Sequence, residues 1–252
     1  MKLDKLNLDE GLTEAQFSDA LNYAYDQLDS VAKTVDGDMA TTLTFVCFHG
    51  GGCAMAHIGD SRIYHIRRNV GILYRSEDHS LVADMVHNGL ITPLEAANHP
   101  QRNVITRCME PLDHHRDRSE ASFVNTTDVE PGDCFFLCSD GVLHNLSDDR
   151  LVSLLTSSEK SDGEIIREIA GISASSDDNN TAFLIRIGSV EREKTPAGIQ
   201  KGQEPASDGS DTSTQPLPRP SERLREVSPK KMEKERTGFL NFIGNIFKSK
   251  KK

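Results

Sequence analysis

No stretch of this chain approaches the roughly 18 to 20 consecutive apolar residues that a membrane-spanning helix needs, and Met1-Lys2-Leu3-Asp4 lacks the basic-then-apolar order of a secretory signal. These absences argue against an exported or membrane-spanning protein. There is no Cys-x-x-Cys pair either: the five cysteines are an odd number, and Cys134 and Cys138 stand four apart in an expected strand, too far along one face to bridge. They read as reduced thiols of a cytoplasmic chain. Basic residues are scarce in the body, where residues 1–190 hold 15 Lys+Arg against 30 Asp+Glu, whereas residues 191–252 hold 14 against 9. An acidic body argues against a nucleic-acid surface and suits either a protein that collects cations or one kept soluble by its charge. What remains, 252 residues at 36% hydrophobic and 27% charged, is a soluble globular composition of one large domain or two small ones.

Aromatic residues are missing from Leu184 through Gly238, and six of the ten prolines lie between Pro196 and Pro229. Such a stretch cannot build a core, so 191–229 reads as a disordered linker after a domain spanning 1–190. In the closing segment 230–252, Phe239, Phe242, Ile243, Ile246 and Phe247 recur at helical spacing between lysines. A basic amphipathic segment of this kind suits contact with a membrane surface or a partner through 238–252, and a peripheral position at the inner membrane face.

Within the body, Phe17, Leu21, Ala24 and Leu28 repeat at helical spacing behind Thr13, which predicts an amphipathic helix capped by that threonine. Thr41–Phe48, Cys53–Ile58, Arg62–Arg67 and Gly71–Tyr74 are β-rich runs separated by turn residues and predict an antiparallel meander. Leu81–Asn88 and Pro93–Asn98 read as short helices, Ser119–Thr126 and Cys134–Cys138 as strands. Asp148–Thr156 and Gly163–Ala174 read as helices, and Thr181–Ile187 as a last strand. The order implies an α+β fold with helices layered on antiparallel sheet.

Asp60, Asp78, Asp140 and Asp178 all fall at strand ends or turns. Carboxylates converging there could hold magnesium or manganese, which prefer oxygen ligands and lower the pKa of bound water for attack on a phosphate ester. Singly, each also serves as an ordinary turn or capping residue. The nine histidines show no metal-ligand spacing, and His114-His115 lies in a charged loop.

Taken in order, Met39-Ala40-Thr41-Thr42-Leu43, Ala56-His57-Ile58-Gly59-Asp60-Ser61-Arg62-Ile63-Tyr64, Glu77-Asp78-His79-Ser80, Pro131-Gly132-Asp133-Cys134 through Ser139-Asp140-Gly141-Val142, and Asp178-Asn179-Asn180-Thr181 resemble the metal-dependent protein phosphatases of the PPM or PP2C family. The resemblance spans about 13–188. It implies a sandwich of two antiparallel β-sheets flanked by α-helices, with two Mn2+ or Mg2+ ions at one end. A metal-activated water would hydrolyse phosphoserine or phosphothreonine in a protein substrate. By position Asp140 and Asp178 match metal ligands, Asp78 matches the site of a third, weaker ion, and Asp60 with Arg62 matches a turn of structural role. The stretch of about 80–110 resembles a flap beside the active site.

Two parts of the family pattern are absent, an Arg-x-x-Asn-Glu-Asp strand and an Asp-Gly-x-Gly-Gly turn. By the resemblance they would supply further metal ligands and an arginine for the substrate phosphate, which leaves the catalytic residues unassigned. The expectation is an N-terminally incomplete phosphatase, with a noncatalytic binding or membrane-recruiting module as the alternative.

Overall fold

The structure is a computed structural model that describes residues 11–112 and 117–190, all within one unit of the chain, 1–193. His114-His115, the 191–229 linker and the 230–252 segment lie outside the described residues. No helix of the described residues is long and apolar enough to cross a membrane, and all five cysteines are free thiols.

The helix α1 (Glu14–Ala32) opens with a capping box: the Thr13 hydroxyl accepts the Gln16 amide at 3.2 Å, and Gln16 Oε1 accepts the Thr13 amide at 2.9 Å. Its buried face is Phe17, Leu21 and Tyr25, one helical stripe. That stripe covers the outer side of a three-stranded antiparallel sheet ordered β1 (Leu43–His49), β2 (Gly52–Ile58), β5 (Ser122–Thr126). Phe17 lies 5.1 Å from Phe45 and 5.5 Å from Phe123 between ring centroids. Burying each such side chain contributes about 1.5–3 kcal/mol.

The second sheet is ordered β4 (Gly71–Arg75), β3 (Arg62–Arg67), β6 (Cys134–Cys138), β7 (Ala182–Arg186), again antiparallel. Cys53 and Met55 of the first sheet meet Ile63 and Phe135 of the second in the core between the layers. Outside the second sheet, α5 (Asp148–Leu155) and α6 (Asp162–Ser173) bury Leu151, Leu155, Ile165 and Ile169 against Tyr64, Ile66 and Phe136. The result is the expected two-sheet sandwich between helical layers.

The meander expected from the first four strands is divided between the two sheets. β1 pairs with β2 and β3 with β4, but β2 and β3 do not pair; Gly59-Asp60-Ser61 carries the chain from one sheet to the other. A short polar turn with a glycine can close a hairpin or make a sheet crossover, and only the packing decides. Here Gly59 has φ +103°, and a Cβ on it would stand 2.4 Å from Thr42 Cγ2. The short helices α2 (Leu81–His87) and α3 (Pro93–Ala97), capped by Ser80 and Thr92, occupy the stretch expected to be a flap. The flap is tied back at its base, where Leu81 N donates to Val104 O at 2.8 Å and Thr41 and Met109 exchange two backbone hydrogen bonds.

Candidate functional site

Strand register brings the four aspartates to one end of the sandwich. Arg62 faces Cys138, and Cys138 faces Ala182. The residues just beyond these ends are Asp60 in the crossover turn, Asp140 after β6 and Asp178 before β7.

The Asp140–Asp178 pair is built by Ser139 and Gly141. Ser139 N donates to Thr181 O at 3.0 Å, and its hydroxyl both accepts the Thr181 amide at 3.0 Å and donates to Asn179 O at 3.3 Å. Asp140 opens a four-residue helix, α4 (Asp140–Leu143), that the sequence reading took as a turn. Gly141 sits so close to the 178–179 loop that a Cβ would lie 2.5 Å from Asn179 O and 3.3 Å from Asp178 Cβ. The absence of that Cβ lets the backbone that follows Asp140 pack directly against the 178–179 loop. Each turns one oxygen onto the following amide, Asp140 Oδ1 to Gly141 N at 2.8 Å and Asp178 Oδ1 to Asn179 N at 2.7 Å. The second oxygen of each makes no hydrogen bond to the described residues.

Asp60 is half-buried beside them. Burial raises its carboxyl above the ordinary value, and the charges of Asp140 and then Asp78 push it the same way. A carboxylate crowded by like charge in a partly dry site gains from a cation placed among them. The turn that carries Asp60 is braced by Thr42, whose hydroxyl lies 2.8 Å from that of Ser61.

Asp78 is placed differently from the other three. Its oxygens take both arms of the Arg62 guanidinium, Nε at 2.6 Å and a terminal nitrogen at 2.7 Å. Asp78, the residue expected at a third, weaker ion, forms a bidentate ion pair with Arg62. Hairpin register was a usable signal: Tyr64 faces Arg75, so continuing the pairing sets Arg62 beside residues 77–78. Asp60, expected in a turn of structural role, lies in the β2–β3 crossover close enough to feel the charge of Asp140.

Oxygen donors of the right hardness are present, but they do not close on one point: among the described residues no group of three acidic, histidine or cysteine side chains could hold a metal ion by itself. The carboxylates fit a divalent cation in donor chemistry without forming a closed ligand group among the described residues. A cavity of about 420 Å3 lies at the opposite end, beside Gly50–Gly52, Thr127, Val129 and Ile187, and shares no residue with the aspartates.

Residues 3–164 match the model of the family described as Protein phosphatase 2C. This chain belongs to the protein phosphatase 2C family. The phosphatase PhpP of Streptococcus pneumoniae is 37% identical over 121 residues, covering 47% of this chain and 46% of PhpP. Among solved structures, the serine/threonine phosphatase PstP/Ppp of Mycobacterium tuberculosis superposes with a TM-score of 0.59 at 26% identity, covering 74% of this chain and 75% of that one. Another structure, of the PstP catalytic domain in complex with two manganese ions, has a TM-score of 0.53 at 24% identity, covering 70% of this chain and 74% of that one. The chain spans about half the length or less of the first curated relatives it matches. The α+β sandwich expected from the motifs is thus the fold of the protein phosphatase 2C family, shared with its solved relatives.

Proposed function

We propose that this chain is the body of a metal-dependent serine/threonine protein phosphatase, and that Asp140, Asp178 and Asp60 hold Mn2+ or Mg2+ at the end of the sandwich. The close approach of Gly141, next to Asp140, to the 178–179 loop that carries Asp178 supports the reading. Bound there, a divalent cation supplies an acidified water and charge neutralisation for phosphoryl transfer. The overall reaction adds water across the ester: oxygen bonds to phosphorus, the bond from phosphorus to the seryl or threonyl oxygen breaks, and the alcohol leaves with a proton.

The chain's own residues do three things in this scheme. Asp140 and Asp178 present oxygens fixed by the amides of the residues after them. Asp60, its carboxyl raised by burial and by Asp140, sits where a bound cation would favour its charged form. The flap from α2 to Met109, tied to Thr41 and His79 by backbone hydrogen bonds, is anchored near the Asp60 turn, where it can meet a phosphorylated peptide. Arg62, locked to Asp78, is not free to grip a phosphate.

A noncatalytic module is the second reading, favoured by the absence of a closed three-ligand group among the described residues. Manganese-dependent hydrolysis of a phosphothreonine peptide separates the two. Turnover by the 252-residue chain that drops at least a hundredfold in both Asp140→Asn and Asp178→Asn supports the phosphatase. Peptide binding without turnover, unchanged by both substitutions, supports the module.

A further inference from the structure

His79 is buried at 8% exposure and makes more directed contacts than a core histidine needs. Its backbone N donates to Gly59 O at 2.9 Å, and its ring Nδ1 accepts the Gly59 amide at 3.2 Å, so both peptide groups of Gly59 are held by one residue. Because Nδ1 accepts, the ring proton sits on Nε2, which lies 2.9 Å from the Ser122 hydroxyl at the start of β5. The His79 carbonyl accepts the Thr106 amide of the returning flap at 2.8 Å, and its ring stacks on His57 with centroids 4.5 Å apart. One residue away, Asp78 grips Arg62. The dipeptide Asp78-His79 thus takes hold of the crossover turn at both ends, Gly59 and Arg62, with Asp60 between them.

We propose that His79 is a positioning residue that fixes the Gly59-Asp60 turn, aims Asp60 toward Asp140, and ties that turn to the base of the flap at Thr106. The proposal rests on the reading of Asp60 as part of the cation site and adds the residue that sets its place. A merely space-filling role is the competing account, since an apolar side chain of similar size would also pack against His57.

The shape of the hydrogen bonds gives a test. Asparagine at 79 puts an oxygen where Nδ1 stands and keeps an acceptor for Gly59 N, whereas leucine fills the space with none. Mn2+ affinity of the full 252-residue chain is titrated by electron paramagnetic resonance of the free ion, alongside hydrogen exchange of the Gly59 amide by NMR. Loss of a group that orients a ligand typically costs about 10–100-fold in metal affinity. His79→Leu is therefore expected to weaken Mn2+ about tenfold or more and to speed Gly59 exchange, and His79→Asn to stay within about threefold of the parent on both. Parent-like affinity in the leucine variant, or equal loss in both variants, would overturn the positioning role. Should the parent and Asp140→Asn take up Mn2+ equally poorly, the cation reading fails by itself. Gly59 exchange then decides the clamp, which is refuted if the leucine variant exchanges like the parent.

Discussion

Asp133 is fully buried and is the acceptor of four hydrogen bonds: His65 Nε2 at 2.8 Å, two nitrogens of Arg67 at 2.8 Å each, and the Glu130 amide at 2.9 Å. Replacing it by alanine strips all four at once. Breaking a buried ion pair by removing one partner costs about 3–5 kcal/mol, because the other charge stays buried and unpaired. The low end applies here. Arg67 keeps Asp128 at 2.8 Å and Glu130 at 3.4 Å, while His65, almost wholly buried, loses its carboxylate. Asp133→Ala should therefore cost about 3 kcal/mol in urea unfolding of the full chain at pH 7. The midpoint of thermal unfolding should fall by about 6–12 °C, taking 2–4 °C per kcal/mol for a domain of this size. Glu168→Ala, which removes the acceptor of Arg150 and Lys160 at the surface, is the control and should change little. If the two variants lose the same stability, the buried Asp133 network does not contribute more than a surface ion pair.

Acid and two glycine substitutions test other parts of the structure. Burial, followed by the charges of His57 and Arg107, lowers His79 to about 4. It folds neutral, so its contribution is complete above the unfolded value of about 6.5 and is lost as pH falls toward 4, by on the order of 3 kcal/mol over that window. Urea midpoints of the parent should drop between pH 7 and 5, and those of His79→Asn should drop less; parallel curves would contradict the assignment. Burial opposes the charge on Asp133, yet Arg67, the Glu130 amide and His65 together hold its carboxyl below the ordinary range, so its share is lost only in stronger acid. Gly141→Ala should push the 178–179 loop off Asp140, costing about 1–3 kcal/mol and weakening Mn2+ uptake. Gly171→Ala, on the open side of α6 with nothing within 4 Å of the added carbon, should instead stabilise by about 0.4–1 kcal/mol. Equal effects at the two glycines in calorimetry would sink the close-approach argument.

The elements were legible because their signals are local. Thr13 with Gln16, the apolar period of Phe17 and Leu21, and the β-rich runs after it set bounds that differ from the observed ones by a residue or two in most elements. What local signals do not carry is which strand finds which neighbour. The Gly59-Asp60-Ser61 turn read as a hairpin because its composition is that of a hairpin, while its role is fixed by Thr42, seventeen residues upstream, lying under Gly59. The four-residue helix at Asp140 was hidden behind an Asp-Gly pair. At the site, Asp140 and Asp178 were marked by their strand-end positions and family motifs. The different placements of Asp60 and Asp78 depend on Arg62, whose reach across the β3–β4 hairpin to Asp78 is a tertiary fact.

The sheet crossover also bears on how the molecule assembles. The β1–β2 and β3–β4 hairpins close over a few residues, but β5 reaches β2 through pairs such as His57 with Ser122, and β6 reaches β3 through Arg62 with Cys138. Long loops must close before those pairings repay the lost chain entropy, so the hairpins can form early and the sandwich late. Asp60 travels with the early part of the chain and Asp140 with the late part. The aspartate end therefore comes into being only in the last stage of folding, and neither the part of the chain through β4 nor the part from β5 onward carries both.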